Sequence, residues 1–361
     1  MEERYSRQIR LAEVGTTGQA KLHAAKVLVV GAGGLGCPAL QYLAAAGVGT
    51  LGIVDFDRVT PSNLHRQILF DENDLGKNKA KAAKAQLQKQ NTSLVINAYE
   101  TAFDIQNGLA LTAAYDLVID ATDNFETRYC INDCCVLSNK PMVYAALYKF
   151  QGQVAVFNFK NGPTYRCLFP TPPQLEEVPT CETVGVLGVV PGVLGILQAT
   201  ECLKIILELD QILSGKVLFY DLLTHQMHSI ILPPNKKAIA ALKQKNELIE
   251  IFNVSCPPSS QIGLEALREL GKFVWIDVRE LHESPQLDLP NLIKIPFSSW
   301  NTRWEELKHE QPKVLFCQSG QRSKKALELL LEKGVKNGYA LSVGAATLAY
   351  WNQQNNNDKT D

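Results

Sequence analysis

Residues 27–36 read VLVVGAGGLG, and the glycines Gly31, Gly33 and Gly36 fall in Gly-x-Gly-x-x-Gly spacing. Four apolar residues before the first glycine read as a buried strand. The stretch GCPALQYLAAAG after it reads as a helix. A strand that turns into a helix through glycines brings backbone close to whatever sits at the turn. The helix N-terminus adds free amides and partial positive charge, which suits phosphate. The next strand, TLGIVDFD, ends on Asp55, at the distance where a carboxylate meets ribose hydroxyls. These features fit the pyrophosphate of NAD and the triphosphate of ATP equally well.

The same alternation continues to about residue 232. GKNKAKAAKAQLQKQN is a polar helix, SLVINAYE a strand, YDLVIDATD a strand and NFETRYCINDCCVLSN a helix. Near-continuous apolar strands between helices mean a mostly parallel sheet covered on both faces. GQVAVFNF and GKVLFYDLLTHQMHSIIL then read as antiparallel strands, with the buried helix GVLGILQATECLKIIL between them. The fold class is α/β, a Rossmann-like domain with a mixed sheet. PPNKK and SCPPSS bracket a polar helical stretch, read as a linker over 236–258. A second, smaller α/β pattern starts near Gln261. The expected organisation is 1–235, linker 236–258, 259–352, and a frayed Asn-rich tail 353–361.

Basic and acidic residues number 36 and 37, so a nucleic-acid or membrane-surface partner is not expected. The start, MEERYSRQIR, has no apolar signal-peptide core, and the apolar run 184–197 is short and broken by glycines and Pro191. The expected compartment is the cytoplasm. The nine cysteines then read as buried, catalytic or metal-binding thiols, and none forms a C-x-x-C pair. Cys130, Cys134 and Cys135 read as buried apolar thiols.

The residues after Asp55 favour a triphosphate. DFDRVTPSNLHRQ places Asn63, Arg66 and Gln67 just beyond the ribose end, and LGKNKAK adds Lys79. Two cations suit a pyrophosphate that leaves, because fixed positive charge stabilises charge growing on the departing group. The competing reading is solvated surface charge, above all for Lys79 in a lysine-rich helix. In DNFE, Asp123 reads as an N-cap with Glu126 three residues on, a capping box. Its carboxylate also suits Mg²⁺.

In this order, RYSRQI, GAGGLG, DFDRVTPSNLHRQ, GKNKA and DATDNFETR resemble the adenylating domain of the MoeB/ThiF family, relatives of the ubiquitin-activating enzymes. The resemblance covers roughly residues 3–232. It implies binding of ATP and Mg²⁺ and adenylation of the C-terminal glycine of a ubiquitin-like sulfur carrier ending in Gly-Gly. It sets Gly34 on the glycine loop, Asp55 at the ribose, and Asn63, Arg66 and Lys79 at the phosphates. It sets Asp123 near the Mg²⁺ and Asn124 beside the nucleotide. Arg7 matches an arginine that reaches the partner subunit's ATP, which implies a homodimer. The family's zinc site of two C-x-x-C pairs is not expected here. Cys167 persists, but Thr164 stands at the first cysteine position and PPNKK supplies none.

The second domain carries KVLFCQSGQRSKKALELL. A buried strand delivers Cys317 to a loop ending at Arg322, with a helix beginning near Ser323. Loop amides, the helix N-terminus and Arg322 are expected to stabilise a thiolate and its persulfide. With WIDVRE and KIPF upstream, this set resembles a rhodanese domain over roughly 259–352. The loop is one residue shorter than a tyrosine-phosphatase loop. Asp277 and Arg279 read as structural. Cys181, in PTCETVGVLG, matches a cysteine position of related enzymes that could resolve an acyl-disulfide.

Together the two resemblances imply adenylation followed by sulfur transfer to form a thiocarboxylate. The expected carrier is the small subunit of molybdopterin synthase, and the thiamine-pathway carrier is the alternative. A non-catalytic NAD-binding protein and a dehydrogenase are more distant alternatives. A cysteine desulfurase or thiosulfate would each serve as sulfur donor.

Overall fold

The apolar run before Gly31 forms strand β1 (Lys26–Val30), buried at every residue after Lys26. In the computed structural model, residues 2–171, 185–244, 261–264, 266–318, 320–335 and 337–357 are described. The chain divides into two units, Met1–Glu250 and Ile251–Asp361.

In the first unit, β1 is joined by β2 (Thr50–Val54), β3 (Val95–Tyr99), β4 (Leu117–Asp120) and β5 (Met142–Tyr148). β6 (Gln151–Phe157), β7 (Lys216–Asp221) and β8 (Gln226–Ile231) complete it. The sheet order is β3-β2-β1-β4-β5-β6-β7-β8. β3 to β5 are parallel neighbours and β5 to β8 antiparallel, as the change in sequence pattern indicates. Helices Gly36–Ala46, Lys79–Gln90 and Phe125–Leu137 make the crossovers. Strand order reverses at β1, with β2 on one side and β4 on the other. The crevice at the carboxyl ends of these strands is where open α/β sheets bind ligands.

The helix Val189–Ile206 packs on Gly36–Ala46 and on β5 and β6. It is longer than the broken apolar run indicates. Among the described residues it alone has the length and hydropathy to cross a membrane. Here Val190, Leu194, Ala199 and Cys202 are buried within the fold.

The expected linker begins as structure. Lys236–Gln244 is a helix packed on Phe125–Leu137, so the first unit extends past residue 235. Its apolar residues Ile239 and Leu242 recur at helical spacing, and Leu242 is buried. Residues 245–258 lie outside the described residues.

The second unit is a parallel sheet of β9 (Gln261–Ile262), β10 (Val274–Asp277), β11 (Leu292–Lys294), β12 (Lys313–Phe316) and β13 (Gly338–Leu341). Its order is β11-β10-β12-β13-β9. Period-two alternation splits its core. Val274, Ile276, Leu315 and Cys317 face the helix Gln321–Glu332, while Trp275, Val314 and Phe316 face the other side with Leu348. The final helix runs Ala345–Asn357 and takes in the first part of the expected tail.

Candidate active site

The glycine turn comes directly after β1. Gly31 has φ +97°, and a Cβ there would lie 2.6 Å from the carbonyl oxygen of Ala121. A Cβ on Gly36 would lie 2.0 Å from the carbonyl oxygen of Gly31, so only glycine closes this turn. Gly33 is open. The nearest atom to a Cβ there is Gln67 Nε2 at 3.8 Å. Gln67 is 3% exposed, and its buried Oε1 has no partner among the described residues. The Gln67 amide nitrogen, a donor beside an open glycine, fits an acceptor lying along the turn.

Asp55 stands at the end of β2. Its carboxylate accepts from the N–H groups of Ala32 (2.7 Å) and Asp57 (2.9 Å). Burial pushes this carboxyl up to about 6; Lys79 opposes the rise and Asp57 adds to it. Lys79 is not a surface charge. It is 6% exposed at the start of its helix, and Nζ donates to Asp57 Oδ2 at 2.9 Å. Burial disfavours the ammonium, but Asp55, Asp57 and Asp123 outweigh it and hold Lys79 above the ordinary lysine range. The structure therefore brings Asp55, Lys79 and Asp123 together. Asp57 and Asn78 complete the group. Asn78 Nδ2 donates to the carbonyls of Asp55 (2.9 Å) and Asp57 (3.2 Å), while its Oδ1 caps the helix at the N–H of Lys81.

The segment 61–67 lies against the same turn. A Cβ on Gly34 would lie 3.5 Å from Arg66 Cγ. Arg66 Nη1 donates to the carbonyl of Ser62 at 2.9 Å and contacts His65 Nε2 at 2.8 Å. Asn63 is buried, and its Oδ1 accepts from the N–H of Thr60.

The N-cap expected at Asp123 falls one residue later. Asn124 is the N-cap, and its Oδ1 accepts from the N–H of Thr127 at 2.8 Å. Both residue types cap well, and the chain uses the one closer to the helix. The Asp123 carboxylate is exposed and not used as the cap, which fits a metal ligand better than the expected cap does. Beneath it lies a pair that sequence reasoning missed. Arg128 donates through Nε to Asp120 Oδ2 (3.1 Å) and through Nη2 to the carbonyl of Thr122 (2.7 Å). Gln198 Nε2 fixes the Asp120 carbonyl at 2.6 Å. The motif DATDNFETR holds both partners, but only the fold turns them toward each other.

Arg7 is exposed on the helix Glu2–Ile9. Cys181 lies outside the described residues. Cys130, Cys134 and Cys135 are buried, and the Cys134 hydrogen bond and burial push the Cys130 thiol up. Cys167 Sγ accepts from the N–H groups of Thr164 (3.3 Å) and Asn235 (3.2 Å), tying the turn after β6 to the segment after β8.

In the second unit Cys317 is buried at the end of β12. The N–H of Gly320 points to Sγ at 3.1 Å, and the Ser323 hydroxyl lies at 3.7 Å. Ser319, between Cys317 and Gly320, lies outside the described residues. The helix starts at Gln321, two residues earlier than expected. Arg322 does not present free charge to the thiol. Glu283 takes it bidentately at 2.5 and 2.6 Å, a partner 39 residues away that the sequence did not reveal. That carboxylate cancels much of the positive potential expected at the loop. Asp277 and Arg279, read as structural, form a buried ion pair. Arg279 is 2% exposed and donates to both Asp277 oxygens.

Comparison with known proteins agrees with both units. The ThiF family model matches residues 5–240, and the rhodanese-like domain model matches 261–347. The chain is 37% identical over 363 residues to the adenylyltransferase and sulfurtransferase MOCS3 of Xenopus laevis, covering 94% of this chain and 80% of that one. Against the protein of that name from Anopheles gambiae it is 43% identical over 282 residues, 78% of this chain and 64% of the relative. Against the sulfur carrier protein adenylyltransferase of Thermus thermophilus it is 48% identical over 240 residues, 65% of this chain and 89% of that one. Among solved structures, Escherichia coli MccB with MccA-N7isoASN has TM-score 0.58 at 24% identity, over 65% of this chain and 73% of that one. That likeness concerns the fold alone.

Proposed function

The chain belongs to the ThiF family, and on that premise we propose an adenylyltransferase and sulfurtransferase that acts on a ubiquitin-like sulfur-carrier protein. The observation that carries the first activity is Lys79, an ammonium buried beside Asp55. Burying a cation is costly unless it is paired, and Asp55 and Asp57 keep Lys79 charged at this position. Lys79 and Arg66 exceed what the two phosphates of a dinucleotide need. They suit negative charge growing on a leaving pyrophosphate.

ATP would lie with its ribose at Asp55 and its phosphates along the turn from Gly31 through Gly34 to Gly36. Asn63, Arg66, Gln67 and Lys79 would meet the phosphates, with Asn124 beside the nucleotide. Asp123 would hold Mg²⁺, which neutralises phosphate charge when bound. The carrier's terminal carboxylate oxygen bonds to the α-phosphorus. The bond from that phosphorus to the bridging oxygen breaks, and pyrophosphate leaves with the electron pair. No side chain acts as nucleophile; placement and charge stabilisation supply the acceleration.

Cys317 then takes sulfane sulfur from a donor as a persulfide, steadied by the Gly320 N–H. The terminal sulfur attacks the acyl-adenylate and AMP leaves, giving an acyl-disulfide. A second thiol attacks the Cys317 sulfur. The carrier departs as a thiocarboxylate and a disulfide is left behind, which a thiol reductant restores. Cys181 is our candidate for that second thiol. We further read the carrier as the small subunit of molybdopterin synthase, with the thiamine-pathway carrier as the alternative. The donor is a cysteine desulfurase or thiosulfate. The enzyme is a homodimer in which Arg7 reaches the partner's nucleotide. The relatives' names support the reaction pair, and the resemblance supports the carrier.

The test is ATP–pyrophosphate exchange that depends on a carrier ending in Gly-Gly. Exchange without carrier, or no exchange together with micromolar NAD binding, would overturn the reading.

A further inference from the structure

Lys79 has a competitor for its charge built into the site. Asp57 is anchored here largely through its backbone. Its N–H donates to Asp55 Oδ1 at 2.9 Å. Its carbonyl accepts from the Lys79 N–H at 2.8 Å and from Asn78 Nδ2 at 3.2 Å. The carboxylate adds one more bond, in which Oδ2 holds Lys79 Nζ at 2.9 Å. The ammonium side chain is 8% exposed, whereas the Asp57 side chain is 51% exposed. The lysine is therefore buried, while its counter-charge is half-exposed to solvent. The backbone bonds position Asp57 whether or not its side chain is charged.

We propose that Asp57 is a positioning residue that competes with nucleotide phosphate for Lys79. It holds the ammonium ready before nucleotide binds and takes it back as pyrophosphate leaves. The inference rests on Lys79 being a phosphate-binding cation. A buried ammonium needs a partner when no phosphate is present. The same partner lowers the net attraction for ATP and for pyrophosphate alike. Binding that is equally strong for substrate and product holds both back and does not speed the chemical step. A carboxylate that reclaims Lys79 counters that tendency.

The substitution Asp57→Asn removes one charge and little else. The backbone bonds do not involve the side chain, and the amide oxygen can still accept from Nζ. Asp57→Ser, which also shortens the side chain, is the second variant. Titration of the full-length protein with ATP, and separately with inorganic pyrophosphate, reads the effect directly. Both ligands should bind about threefold to tenfold tighter to each variant, a modest change because the Asp57 carboxylate is half-exposed. Exchange measured alongside should show KM for ATP and kcat falling together. A residue that only braces the site would do the opposite and raise KM. Unchanged or weaker binding by both variants, with wild type binding ATP normally, overturns this inference alone. A wild type that binds no ATP overturns the nucleotide reading and this inference with it.

Discussion

Replacing Arg128 with Met tests the foundation of the candidate nucleotide site. Asp120 is fully buried and Arg128 is 5% exposed, so neither charge is hydrated. In Arg128→Met, Asp120 keeps only the Thr122 N–H (3.0 Å) and hydroxyl (2.6 Å). Removing one member of a buried pair costs about 3–5 kcal/mol, because the remaining charge has no partner. The guanidinium also lies 5.2 Å from the Tyr144 ring centre, a contact that a thioether replaces only in part. With a urea slope of about 3 kcal/mol/M, the first unit's midpoint should fall by about 1–1.7 M. The chain supplies its own control. All four tryptophans, Trp275, Trp300, Trp304 and Trp351, lie in the second unit. Tryptophan fluorescence should keep its wild-type midpoint while far-ultraviolet dichroism reveals an earlier transition. The double variant Asp120→Asn with Arg128→Met removes both charges and should recover more than half of the loss. A cost below about 1 kcal/mol for Arg128→Met, or a double variant no better than the single, would refute the argument.

Three further outcomes are expected. Cys317→Ser should abolish thiocarboxylate formation, monitored by mass spectrometry of the carrier, while ATP–pyrophosphate exchange stays near wild type; full thiocarboxylate yield would show that sulfur bypasses the second unit. Arg66→Ala should lower adenylation by about 10²–10³-fold, the scale for losing one fixed charge stabiliser, and a loss under about threefold would remove Arg66 from the site. Asp55, with its carboxyl at about 6, must be ionised to accept from ribose, so nucleotide binding should weaken about fourfold at pH 5.5 relative to pH 7.5, by the fraction ionised. The raised carboxyl acts the other way on the nucleotide-free fold, which gains stability as pH falls from about 6 toward about 4. Equal pH dependence of binding in Asp55→Asn would discard this assignment.

Some of this was legible from local pattern and some was not, and the division tracks distance along the chain. The turn at Gly31–Gly36 is written in consecutive residues, because backbone closeness there excludes every side chain. The change from parallel to antiparallel strands was legible in the same way, as a change in what separates apolar runs. Lys79 was ambiguous because its own helix is rich in lysine. Its burial comes from its neighbours at the end of β2, and its partner Asp57 stands 22 residues earlier. Asp123 and Asn124 are adjacent and both residue types cap helices; Glu126 three residues on points to Asp123, but the chain uses Asn124. The choice leaves the Asp123 carboxylate unused by the helix. Arg322 was read as a free charge because Glu283 is 39 residues away on another segment.

Lys79 and Arg322 share a physical cause. Each is a charge whose meaning depends on a partner brought by the fold, and each partner alters the expected chemistry. Asp57 divides the charge of Lys79, and Glu283 neutralises Arg322. The backbone elements of both sites, the glycine turn and the Gly320 amide, have no such dependence. Sequence therefore reads where phosphate and sulfur would be held more securely than how strongly they would be held. On the proposed reading the carboxylates at Asp57 and Glu283 would temper binding strength, and these are the positions where a change of one charge should tune turnover without dismantling either fold.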